Sequence, residues 1–217
     1  MSHPSVIHLW RANQPLPAAV NMGNLSMEDK KRQIFDNEEL MARQLARRVI
    51  EKPVPAVWMI LIPVFFVFYA WKIKQYSNGL KDFAENYLIS RRRALDTAFE
   101  AEQSGNPPEI DRLVAKADDI PSEARRLYRD WMSLLVDHYR SLLAAPGISH
   151  KELIRANYRT KSNYLLFCNK LNKTENAFNR ALLPGIEGAP QDLRYILDRM
   201  ELGVVDLRRK EVEEIFF

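Results

Sequence analysis

The side chains best suited to metal or nucleophilic chemistry in this chain are four histidines and one cysteine. Di-metal helical bundles carry Glu-x-x-His, because that spacing stacks a carboxylate and an imidazole on one helix face. Here the residues three before His138 and His150 are Leu135 and Gly147. With Cys168 alone, an intramolecular disulfide, a cysteine-based zinc or iron–sulfur cage and a Cys-x-x-Cys-His haem attachment are excluded. Glycine-rich phosphate loops, HExxH and nucleophile elbows do not occur either. No catalytic, cofactor-binding or metal-ligating residue is nominated, no cofactor is expected, and the chain reads as non-catalytic.

Weaker candidates remain. His138, next to Asp137, falls on an apolar helical seam, where a pH switch is conceivable because imidazole titrates near pH ~6.5. A core histidine with one satisfied hydrogen bond is the expectation. Cys168 sits among Leu165, Phe167 and Leu171 and is expected to behave as an inert small hydrophobe. Lys151, Arg155 and Arg159 recur every four residues, and residues 151–180 hold seven basic against two acidic groups. That strip is a candidate contact for acidic protein or lipid headgroups, set against an ordinary solvated helix face. Phe216 and Phe217 would leave large apolar rings in water unless docked, on their own bundle or on a partner.

The elements that position these residues start with an uncharged run of 18 residues at 54–71, VPAVWMILIPVFFVFYAW. As a helix it would rise about 27 Å, close to the ~30 Å hydrocarbon thickness of a bilayer. The anchor is assigned to Val54, Trp58, Pro63, Phe65, Phe66, Phe68, Tyr69 and Trp71. Trp58, Tyr69 and Trp71 lie near its ends, where amphipathic rings favour the headgroup boundary. The run starts too deep in the chain for a cleaved signal peptide. Pro63 admits either a kinked span or a re-entrant hairpin; the span is preferred, since each half of a hairpin would reach only about 13 Å. Arg43, Arg47, Arg48 and Lys52 precede the run, and Lys72, Lys74, Lys81, Arg91 and Arg92 follow it. This balance assigns no side of the membrane to the C-terminal part.

Around the anchor the pattern is helical throughout. Residues 1–25 hold Pro4, Pro15 and Pro17 and read as an extended arm. Residues 26–52 form an amphipathic helix capped by Ser26 and Asp29, with Ile34, Met41, Leu45 and Val49 on one face. Its Lys30, Lys31, Arg43 and Arg47 suit an anionic membrane surface, a partner helix or plain solvent. Residues 53–74 are the membrane segment and 75–217 a helical bundle of four to five helices. Stops fall at Pro107-Pro108, Pro146-Gly147 and Pro184-Gly185. Ser149 and Glu152 form a capping box that opens one long helix reaching Pro184.

No period-two alternation occurs, so the fold class is all-α with a single membrane-anchoring helix. At 217 residues, one modest domain with an anchor fits and two full domains would be crowded. A net charge of +4 allows contact with anionic lipid or an acidic partner but is too small to argue for nucleic acid. The expected function is a membrane-anchored scaffold or assembly subunit whose partners are the bilayer and other subunits, the same chain or different ones. An accessory anchoring subunit of an enzyme and a membrane-tethered sensor with a ligand in its bundle are the alternatives.

Overall fold

Ser26 starts the first helix as its sequence indicates: its Oγ accepts a hydrogen bond from the Asp29 amide at 3.1 Å. The computed structural model describes residues 25–51, 63–117, 120–185 and 190–217. They form α1 (Met27–Val49), α2 (Pro63–Ser104), α3 (Ile110–Ala115), α4 (Ser122–Ala144), α5 (His150–Tyr158), α6 (Lys161–Leu182) and α7 (Pro190–Ile215). A short 3-10 turn at Leu183–Gly185 follows α6, and no strand occurs among the described residues. The N-terminal arm over 1–24, together with Val54 and Trp58, lies outside them.

α2 is the spine. It packs against α1 on one side and α4 on the other; α6 packs on α4 and α7, and α7 returns to α1, closing a ring of five helices. α4 runs deepest, with Tyr128, Met132, Leu135, Val136, Tyr139 and Leu142 all removed from water. At the α1–α7 crossing a Cβ on Gly203 would lie 2.8 Å from Leu45 Cδ1, so the absence of a side chain there sets how closely the two helices approach.

Three features differ from the sequence reading. First, α1 does not stand apart from the bundle. Ile34, Ala42, Leu45 and Val49 are buried in it, and the basic residues assigned to a membrane-facing side mostly turn inward or pair. Lys31 meets Asp96 at 2.9 Å and Arg43 meets Glu39 at 3.0 Å. Lys30 is buried, its Nζ donating to the carbonyls of Leu143 at 3.0 Å and Ala145 at 2.7 Å. It thereby closes the C-terminus of α4, where unpaired carbonyls favour a cation. Burial lowers the Lys30 pKa without removing this role. Lys30→Met keeps the length and apolar bulk but strands those carbonyls; it is expected to cost about 2 kcal/mol, read from the urea midpoint.

Second, the long helix expected from Ser149 to Pro184 is two helices. The capping box forms: Ser149 Oγ accepts from the Glu152 amide at 3.4 Å, while Glu152 Oε2 takes the Ile148 amide at 2.9 Å. The helix then stops at Arg159, whose φ of 64° is left-handed, a conformation usually left to glycine. Thr160 caps a fresh start by accepting from the Asn163 amide at 3.2 Å. With neither glycine nor proline there, the apolar period runs straight through the break. Among the described residues six α-helices run from Pro63 onward, not four to five, and α2, with 42 residues, is longer than the other five.

Third, α2 runs without a break from Pro63 in the apolar run across the boundary drawn at 74–75. Phe65, Phe66, Phe68, Tyr69 and Trp71 belong to its opening turns, so helix from the apolar run continues unbroken to Ser104. Among the described residues no helix is long and apolar enough to cross a membrane. The described part of the run, residues 63–71, makes about 13 Å of helix before Lys72 and Lys74.

Candidate functional site: a buried ionic junction and its cleft

Each helix of the ring contributes at least one polar side chain to its centre. Arg91 of α2 is 1% exposed and Glu175 of α6 3%, depths at which a lone charge would be prohibitive. Arg91 Nη2 donates to Glu175 Oε1 at 2.8 Å, and its Nε stands 2.9 Å from Glu38 Oε2 of α1. Arg208 of α7 donates through Nη2 to Glu175 Oε2 at 2.8 Å and through Nη1 to Asn172. Tyr139 of α4 donates its hydroxyl to Glu38 Oε1 at 2.7 Å. Two guanidinium groups and two carboxylates thus neutralise one another. Burial opposes ionisation of Glu175, but Arg91 and Arg208 outweigh it and hold its pKa below the ordinary value. Burial equally opposes the charge on Arg91, and Glu175, Tyr87 and Glu38 more than restore it. Tyr139 stays protonated, its pKa raised by burial and by Glu38.

Beside the junction lies a cleft of about 280 Å³ lined by Phe83, Tyr87 and Arg91 of α2, Trp131 of α4, Glu175 and Phe178 of α6, and Met200 of α7. Aromatic pairs flank it. Trp131 and Phe178 stack with centroids 5.4 Å apart, and Phe83 and Tyr87 with centroids 6.4 Å apart. The Arg91 guanidinium lies 3.8 Å from the Tyr87 ring centre and 5.5 Å from that of Trp131. Three donors of these lining residues have no partner: Arg91 Nη1, Tyr87 Oη and Trp131 Nε1. An unmet buried donor costs about 1–3 kcal/mol.

The residues nominated from sequence fall elsewhere. Lys151 and Arg155 lie on α5 but Arg159 leaves the helix, so the strip has two members on one face and a third beyond its end. Lys151 and Arg155 reach the C-terminal end of the chain. Arg155 donates to the carbonyls of Ile215 and Phe217, Lys151 Nζ is 3.8 Å from Glu214, and Lys161 Nζ donates to Glu213 at 2.5 Å. These contacts join the end of α7 to α5 and α6, while Lys151, Arg155 and Arg159 all stay exposed. Phe216 is half-buried against Tyr164, with centroids 6.1 Å apart, while Phe217 is 90% exposed under the Lys161 ammonium. Intramolecular docking therefore holds for the first ring and not for the second.

His138 is buried with Nδ1 2.7 Å from the Tyr158 hydroxyl and its ring stacked on Phe167 at 4.3 Å. Burial, with smaller contributions from His150 and Arg208, lowers its pKa to about 3, so it is a neutral core residue. Cys168 is buried too, its thiol pushed up to about 12 chiefly by burial, far from a reactive thiolate. Among the described residues no group of three or more His, Cys, Asp or Glu could hold a metal.

The junction itself was missed from sequence, although a signal existed. Glu38 follows Ile34 and precedes Leu45, Arg91 stands between Leu88 and Leu95, Glu175 between Leu171 and Phe178, and Arg208 between Val204 and Ile215. A single charge at a seam position on each of four helices, two of each sign, is the pattern of a neutral buried network. The fold and junction define an all-α bundle with an ionic centre. Compared with known proteins, the chain matches no family model, no curated protein and no solved structure.

Proposed function

We propose that the protein is a non-catalytic, membrane-anchored helical scaffold, an assembly subunit of a larger membrane complex. The observation that carries the reading is the continuity of α2. Helix is unbroken from residue 63, within the apolar run, through Ala84, Leu88, Leu95 and Ala98, which are buried in the bundle, so whatever holds residues 63–71 is joined to the bundle by continuous helix. Leu166 and Leu202, 70% and 71% exposed, add apolar surface for neighbouring chains. A ligand-reading sensor is the second reading, favoured by the cleft beside the junction. Alkaline carbonate washing of membranes containing the full chain, followed by mass analysis in mild detergent, tests the scaffold. Retention in the pellet and a mass well above that of a 25.3 kDa monomer are expected. Release into the supernatant, or a monodisperse monomer, overturns it.

A further inference from the structure

We propose that the outer face of α6, with the groove it forms against α7, is a docking surface for an acidic amphipathic helix of a partner protein. This rests on the assembly-subunit reading and adds to it the surface and the kind of partner.

The one carboxylate in α6, Glu175, is buried in the junction, so the exposed side of this helix carries Lys161, Lys170, Lys173 and Arg180 and no acid. The two at its ends are held by α7: Lys161 pairs with Glu213, and Arg180 with Asp198 and Glu201. Lys170 and Lys173 form no ion pair among the described residues, and neither does Arg209, exposed on α7. Three cations left unmatched between paired neighbours are complementary to carboxylates from outside the chain. Between the two helices lies a groove of about 160 Å³ whose walls include Leu165 and Asn169 of α6 and Val205 and Arg209 of α7. Leu165 is 36% and Leu166 70% exposed, and Lys170 and Lys173 continue the ridge of Leu166 at i+4 and i+7. Apolar side chains therefore adjoin the free cations along one face. The complement is a helix with leucine-like residues at i, i+3 and i+4 and carboxylates beside them. Shape favours such a helix over an anionic bilayer, because a groove admits a projecting side chain whereas a flat headgroup surface leaves it empty. A second copy pairing through its own α6 would bring like charges together.

The probe is a fluorescent synthetic peptide with leucine at i, i+3, i+4 and i+7 and glutamate at the flanking positions, titrated by anisotropy with the full chain in mild detergent. Saturable binding is expected, at least about tenfold tighter than that of the same peptide with lysine in place of glutamate. Lys170→Glu combined with Lys173→Glu should weaken binding by at least about tenfold, and Leu166→Ser severalfold. All three positions are exposed, so the melting transition should not move. Lysine acetylation read by mass locates the contact: the peptide should shield Lys170 and Lys173 and leave Lys116, exposed beyond α3, reactive. The bilayer alternative is read in the same way, with the chain in phosphatidylcholine nanodiscs with and without phosphatidylserine. No saturable binding, equal binding of the lysine peptide, binding untouched by the folded double variant, or shielding by phosphatidylserine instead of the peptide would each overturn the proposal. The carbonate wash and the mass in detergent read anchor and assembly without reference to this face. A pelleted, high-mass chain that ignores the peptide would strike the surface and leave the assembly standing, and peptide binding by a monomeric chain would do the reverse.

Discussion

Glu175→Leu is expected to destabilise the bundle by about 3–5 kcal/mol, because it leaves Arg91 and Arg208 buried with one carboxylate, Glu38, between them. That is a large share of the ~5–15 kcal/mol available to a domain, so the variant should be partly unfolded at 37 °C. The loss comes from the stranded cations more than from the bond removed. The matching experiment therefore replaces the network together: Arg91→Met, Glu175→Leu and Arg208→Met, with Glu38→Gln to keep an acceptor for Tyr139. This combination should recover most of the stability and could exceed the parent by ~1–4 kcal/mol, as apolar replacements of buried ion pairs do elsewhere. A single-variant loss below about 1 kcal/mol in urea unfolding would show that the junction is solvated or dispensable. The same charges impose an acid limit. Glu175 titrates lower in the fold than in the unfolded chain, so its contribution is complete above the ordinary carboxylate range and is lost as pH falls through its depressed folded value.

Acid should act earlier through the histidines. In the unfolded chain an imidazole takes its proton near pH ~6.5, whereas His138 in the fold resists until about 3. Over that window the unfolded state binds more protons, so stability falls with falling pH, at a slope approaching ~1.4 kcal/mol per unit for each such histidine. His150, also lowered mainly by burial, adds to the slope in the same direction. Between pH 6.5 and 5 the carboxylates are still ionised, so the histidines account for the decline. His138→Leu gives up the Tyr158 bond but should flatten the profile by roughly one proton's worth, about 2 kcal/mol across those one and a half units. Unfolding free energies at pH 7.0, 6.0 and 5.0 for both proteins check this; parallel curves would mean that His138 titrates normally and is exposed to water. The result also bears on the idea of a physiological pH sensor. A histidine that stays neutral down to about pH 3 while folded registers acid only by unfolding, so no switch resides there.

Tyr87→Phe connects stability with the cleft. Removing a buried hydroxyl that has no partner should leave the bundle as stable or more stable, the opposite of the usual effect of deleting a polar group in a core.

Legibility in the sequence followed the range of the interactions. The caps at Ser26 and Ser149 were readable because capping joins residues three apart, and the apolar faces of α1, α2, α4 and α7 because helical period is a local property. The stop after Ser104 was marked by glycine and proline. The split at Arg159-Thr160 was not, since a left-handed arginine carries no compositional mark and the apolar spacing continues across it. The burial of His138 followed from its seam position; its partner Tyr158, 20 residues on, did not.

By itself, then, the amino-acid order determined that the described residues are all-helical, where most of their helices begin and end, and which face of each turns inward. Tertiary structure alone decided that α1 belongs within the bundle, that Lys151 and Arg155 reach the end of α7, and that Glu38, Arg91, Glu175 and Arg208 converge. The physical reason is that helix formation answers to neighbours within one turn, whereas the sign and partner of a buried charge depend on residues brought together from distant parts of the chain, with 84 positions separating Arg91 from Glu175.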